Sequence, residues 1–207
     1  MRQALFTTLL TSILIATTQL HANAQYVQPE RDDTIRLMPT TRFDTIEAHK
    51  LLAKGTGTIK GVAFIHPTNQ GFGIKTGKKV YAYKTKIILF PLTPYFEEYL
   101  DLKKKANPKK LKFAYLSHEA FRYRLEAVTN STGEFTFPEM KPGKYYIECV
   151  LNWQQSGSYN QYTGSAYGGY GQTDYYTRQN YTNNYADYLY KIVEVEKDGE
   201  TVEVKLK

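Results

Sequence analysis

The chain has 207 residues, and its 27 Lys and Arg outnumber 20 Asp and Glu for a formal charge of +7. That length suits one domain with appendages, and a single cysteine excludes an intrachain disulfide framework, so stability must come from packing.

The first segment reads as an export signal. Arg2 precedes an apolar run from Ala4 to Ala16, and Ala22-Asn23-Ala24 supplies a small-residue cleavage site, so residues 1–24 are expected to be removed before Gln25. A membrane anchor is the alternative, but the run is shorter than the ~20 apolar residues of a span and is broken by Thr and Ser. No cysteine lies near the site, so lipid attachment is not expected. The reading is a periplasmic or secreted protein without a transmembrane segment in its mature chain. Loss of Arg2, the segment's one charged side chain, leaves +6.

Residues 25–54 form an arm and a short helix. Gln25 to Thr41 is polar and aperiodic, hence extended or disordered. Phe43, Ile46, Leu51 and Leu52 fall near helical spacing, predicting a helix from about Asp44 to Lys54 with Gly55 as its C-terminal cap. Gly57 to His66 predicts the first strand. Thr68 to Lys79 is a Gly- and Lys-rich loop, and Val80 to Leu92 a strand region long enough to need a bend near Lys84. Thr93 and Pro94 then cap and start a helix, with Tyr95, Tyr99 and Leu102 on one face. Its acids come early and Lys103, Lys104 and Lys105 late, as the helix dipole favours, and Asn107-Pro108 stops it.

Phe121, Tyr123, Leu125 and Ala127 alternate with Arg122, Arg124 and Glu126, predicting a strand with one dry face. After the turn Asn130 to Gly133, Phe135 and Phe137 continue the core. After Lys141-Pro142-Gly143, Tyr145, Ile147, Cys149, Leu151 and Trp153 share one face of a long strand, which puts the lone thiol in the core. At the C-terminus Tyr188 to Glu196, the turn Lys197 to Glu200, and Thr201 to Lys207 read as a hairpin.

This pattern resembles the carboxypeptidase regulatory-like domains of bacterial exported proteins. The resemblance rests on Gly57 to Val62, on Pro91-Leu92-Thr93-Pro94-Tyr95, on the unit from Phe121 through Glu134 to Phe137 and Lys144 to Ile147, and on Trp153. It covers roughly residues 55–207. It implies an all-β, seven-stranded antiparallel two-sheet sandwich of transthyretin-like or immunoglobulin-like topology, with one or two short peripheral helices and no catalysis of its own.

Two stretches depart from that pattern. Residues 155–187 insert eight tyrosines and five glycines with only Asp174, Arg178 and Asp187 as charges. Read as a long loop, this is either a recognition surface or a low-complexity insert without a ligand, and the candidate binding residues are Tyr159, Tyr162, Tyr167, Tyr170, Tyr175 and Tyr176. Residues 93–112 add a basic helical insertion in which Lys103, Lys104, Lys105, Lys109 and Lys110 form either a solvated face or a contact for anionic envelope material.

Catalytic motifs fail on inspection. His118-Glu119 opens like a zinc-protease helix but Arg122 stands where the second His belongs. Gly77-Lys78 lacks the other phosphate-loop residues, and no Gly-x-Ser-x-Gly is present. His49, His66 and His118 are not at metal-ligand spacing. No enzyme, cofactor or nucleic-acid partner is expected. The function read from the residues is a binding module for an envelope glycan or protein. The alternative is a structural accessory subunit whose contacts form by strand addition, and the oligomeric state stays open.

Overall fold

The computed structural model describes residues 33–67 and 77–207. The expected signal peptide, most of the arm and residues 68–76 of the Gly- and Lys-rich loop lie outside the described residues. Arg36–Lys207 forms one compact unit.

The elements, in chain order, are β1 (Ile35–Leu37), α1 (Thr45–Leu52), β2 (Gly57–Ile65), β3 (Val80–Tyr81), β4 (Lys86–Pro91), α2 (Pro94–Lys104), a single 3-10 turn at Pro108–Lys110, β5 (Lys112–Ala114), α3 (His118–Arg122), β6 (Leu125–Val128), β7 (Glu134–Met140), β8 (Gly143–Gly168), β9 (Gly171–Val195) and β10 (Thr201–Leu206). One sheet runs β6–β4–β8–β9. The other places β2 between β10 and β7, with short β3 on the far end of β2. The two-sheet sandwich expected from alternation is therefore present. Its interior holds Ile59, Ala63, Phe135 and Phe137 of one sheet against Ile87, Leu89, Tyr145, Ile147, Cys149 and Leu151 of the other.

The cap at Thr93 follows the chemistry read from the sequence, and Asp44, expected only as the approximate start of α1, is its N-cap. Asp44 Oδ1 accepts from the N–H groups of Ile46 and Glu47, and Thr93 Oγ1 from that of Phe96. α2 is not an appendage. It lies on the outer face of the β6–β4–β8–β9 sheet, where Phe96 stacks on Phe90 at 4.8 Å and packs with Tyr146, making a small second core. Glu98 on this helix accepts from the backbone N–H groups of Thr40 and Thr41, which fastens the end of the arm.

Four expectations change. Gly55 does not cap α1, which ends on Ala53 in extended conformation. Gly55 is instead a point of close approach: its N–H donates to the Glu139 carbonyl, and a Cβ would meet the Met140 carbonyl oxygen at 2.3 Å. The strand expected from Phe121 starts only at Leu125, because Ser117 accepts from the Ala120 N–H and starts a helical turn over His118–Arg122. The bend expected near Lys84, which has φ 48°, is a full break that moves the chain from β3 in one sheet to β4 in the other. Finally, β9 and β10 form no hairpin. β10 crosses to the other sheet and runs parallel to β2, Val202 beside Ile59 and Leu206 beside Ala63. The apolar alternation of Val202, Val204 and Leu206 faces the core from either sheet, so it leaves the partner strand undecided.

The largest departure is the tyrosine-rich segment. It is a regular extension of β8 and β9, paired continuously from Gly143↔Val195 to Gly168↔Gly171 with one register shift at Tyr162/Gly164. Residues 155–187 are thus the distal part of a hairpin whose tip is Gly169-Tyr170. Beyond the sandwich it stands as a two-stranded ribbon roughly 50 Å long at ~3.3 Å per residue.

Candidate functional site

The ribbon sorts its tyrosines onto two faces, since directly paired residues share a face and successive ones alternate. The face continuous with the sandwich core begins with Trp153 opposite Tyr185, rings stacked at 4.5 Å. Gly157 is opposite Tyr181, whose ring covers the glycine so closely that a Cβ there would sit 2.5 Å from the Tyr181 hydroxyl. Tyr159 follows, 6.4 Å from Tyr181. The face therefore carries a strip of four aromatic rings leading outward from the body.

At the base of the strip lies a cleft of about 570 Å³, lined by Ile65, His66, Trp153, Asp187, Tyr188 and Lys207 among others. The Trp153 Nε1–H donates to Asp187 Oδ2 at 2.6 Å, fixing the indole plane and holding a carboxylate beside it. His66 Nδ1 lies 3.2 Å from the Gly77 carbonyl, which orients the imidazole. An aromatic plane flanked by a carboxylate, an imidazole and an ammonium group offers stacking area and hydrogen-bond partners to a ligand with one apolar face and a polar rim. A larger cleft, about 770 Å³, is bordered by β2, β7 and β10, but its lining is mostly side chains of both charge signs, including Lys60, Lys205, Glu134 and Glu203.

The opposite face carries a different group. Lys103 of α2 lies over the Tyr188 ring at 4.1 Å from its centroid, donates to the Tyr188 hydroxyl and reaches Glu148 Oε2 at 3.2 Å. Tyr188 in turn donates to Glu148, and the hydroxyls of Tyr146 and Tyr188 are 2.8 Å apart. Burial first, then Glu148 and Tyr146, hold the Tyr188 phenol well above the ordinary range, so it stays a neutral donor. This network pins α2 to the sheet.

The sequence-expected residues do not assemble as one site. Tyr159 joins the strip with Trp153. Tyr162 and Tyr176 lie on the other face, their rings edge-on at 5.7 Å. Tyr175 returns to the strip's face beyond the register shift, while Tyr167 and Tyr170 stand exposed near or at the tip. The lysines divide likewise: Lys103 is spent on Tyr188 and Glu148, Lys104 pairs with Asp101 at 2.8 Å, Lys105 caps α2, and Lys109 and Lys110 are exposed on the 3-10 turn. Sequence reasoning passed over Tyr185, Asp187 and His66. Counting back from a turn at Gly169-Tyr170 brings Tyr185 within one residue of Trp153, so a hairpin reading would have signalled the pair. Among the described residues no group of three or more His, Cys, Asp or Glu is placed to hold a metal ion.

Fold and surface define a two-sheet β-sandwich with an aromatic ribbon. The same fold occurs in a crystal structure from Pseudomonas aeruginosa described as a "putative carbohydrate binding protein", which is 22% identical, superposes with a TM-score of 0.53, and covers 80% of this chain and 97% of that one. No protein-family model matches the chain, and no curated protein matches it.

Proposed function

We propose that this protein is an exported, non-catalytic carbohydrate-binding sandwich of the carboxypeptidase regulatory-like kind, acting at the cell envelope through the base of its ribbon. The observation that carries the reading is the Trp153–Tyr185 stack at the mouth of the cleft holding Asp187 and His66. The C–H face of a sugar ring packs on an aromatic plane, while its hydroxyls need both donors and acceptors at the rim. Trp153 supplies the plane, the Asp187 carboxylate and the His66 Nε2 left free by the Nδ1–H bond to Gly77 accept, and Lys207 donates. The fold shared with the Pseudomonas aeruginosa protein, and that protein's description, support the choice of carbohydrate over peptide. Export is supported by the pattern of residues 1–24.

The test is affinity electrophoresis and titration calorimetry of the purified protein against a panel of envelope polysaccharides and their oligosaccharides. Binding is expected to weaken at least tenfold in Tyr185→Ser, at an exposed ring, and in Asp187→Asn, at a half-buried carboxylate that the isosteric amide replaces, and to be unaltered by Tyr167→Ser and Tyr170→Ser at the tip. Failure to bind any glycan, or binding indifferent to Tyr185 and Asp187, would defeat the proposal. N-terminal sequencing of the protein recovered from its producing cell should read from Gln25, and intact Met1 in the cytoplasmic fraction would sink the export reading.

A further inference from the structure

The sandwich guards its strand edges, and the ribbon does not. A strand edge carries unpaired N–H and C=O groups that invite another strand, and proteins blunt such edges with charge, proline, bulges or brevity. β10 sets Glu203 and Lys205 along its edge, β7 has Glu134, Pro138 and Glu139, and β6 is only four residues long. Where β9 forms the outer strand of its sheet within the body it carries Lys191 and Glu194.

Beyond the body these devices disappear. From Gly171 to Ala186, β9 contains no proline, no lysine and no glycine after Gly171 itself, and its only charges are Asp174 and Arg178, which cancel. The bulge and the other ribbon glycines lie on β8 or at the tip, leaving β9 a regular row of Tyr, Thr, Asn and Gln. A neutral, proline-free segment of that composition is suited to strand pairing, and a two-stranded ribbon alone is marginal in water. In a protein of formal charge +7 this segment is also where two copies meet with least repulsion.

We propose that two copies of this chain pair β9 to β9, antiparallel about a two-fold axis at Tyr176, over Gly171 to Tyr181. The charges select this register. Antiparallel pairing centred on Tyr176 sets Asp174 of each copy opposite Arg178 of the other, on one face, with the two Tyr176 rings adjacent. A shift of centre to residue 177 or 179 leaves both charges facing neutral residues. Within one chain, Asp174 uses Oδ1 to accept from Ser165 and Gln172, and Arg178 uses Nε to donate to Ser158, so Oδ2 and the terminal guanidinium nitrogens remain for the cross-dimer pair. The isologous contact closes as a dimer. It holds the two bodies roughly 70 Å apart at ~3.3 Å per residue, many Debye lengths at physiological salt. The strip of Trp153 and Tyr185 stays uncovered, so dimerisation stands apart from glycan binding.

The test is sedimentation velocity of the full protein without glycan, from about 1 to 100 µM, alongside hydrogen exchange. The wild type should dimerise within that range, with amides between residues 171 and 181 more protected at the higher concentration. Asp174→Arg and Arg178→Asp should each raise the dissociation constant at least tenfold, and the double exchange should restore it, since it rebuilds the same pairs with the signs swapped. Circular dichroism would show that each variant keeps its fold. A wild type that stays monomeric throughout, a dimer indifferent to single charge reversal, open-ended oligomers, or a double exchange that fails to restore pairing would each overturn the proposal.

Discussion

Replacing Gln155–Asn183 by Asn-Gly, a two-residue turn between the paired residues Gln154 and Asn184, should leave the sandwich folded and no less stable. The buried side chains of β8 are Tyr145, Tyr146, Ile147, Cys149 and Leu151, and those of β9 are Leu189, Val193 and Val195, all on the body side of the Trp153–Tyr185 pair. The deleted segment contributes no fully buried residue. An isolated two-stranded ribbon adds little stability of its own. Shortening the connection from about thirty residues to two lowers the closure entropy of β8–β9 pairing by about 2 kcal/mol. The expected change in unfolding free energy therefore lies between zero and about 2 kcal/mol in the stabilising direction. Urea denaturation followed by fluorescence of Trp153, the single tryptophan, measures it, and the m-value should hardly move because the ribbon is exposed already. A broadened transition, or a loss of more than about 2 kcal/mol of stability, would mean that the ribbon packs against the body and that the sorting into body and appendage is mistaken.

Cys149 is 3% exposed, and burial, with a smaller contribution from the Glu148 charge, pushes its thiol up to about 11. Labelling by a thiol reagent at neutral pH should accordingly be slow in native protein and fast in urea, and Cys149→Ser should cost about 1–3 kcal/mol for the buried hydroxyl; rapid native labelling would contradict the strand register. Glu98 is held down to about 2, chiefly by the backbone N–H of Thr40 and then by the hydroxyl and N–H of Thr41. Its folded pKa is below the ordinary 4.5, so its contribution is complete above about pH 5 and fades as pH falls from 4.5 toward 2. The difference in urea midpoint between wild type and Glu98→Gln should be constant from about pH 6 to 8 and shrink below about pH 4.5; a difference that persists into acid would remove the carboxylate as its cause.

How much of this protein was legible in its residues depends on the range of the interaction responsible. The helix start near Asp44, the cap at Thr93, the turn at Asn130 to Gly133 and the dry face of Tyr145, Ile147, Cys149 and Leu151 follow from contacts within a few residues, and the structure keeps them. Alternation also declared a two-sheet sandwich, because a strand with one apolar face must cover it. Alternation is silent about neighbours. Val202, Val204 and Leu206 would bury equally well in either sheet, and only the crossing after Gly199 sets β10 beside β2. Phe121 to Ala127 satisfied a strand pattern until the Ser117 cap claimed its first residues for a helix. The candidate site shows the same division. Tyrosine, glycine and asparagine between residues 155 and 187 marked a recognition surface by composition alone, yet composition read as a loop disperses its side chains in every direction. Pairing β8 with β9 orders them by face, and that tertiary register, including a one-residue shift beyond Tyr162, is what sets Tyr185 on Trp153 and Asp187 beside the indole nitrogen.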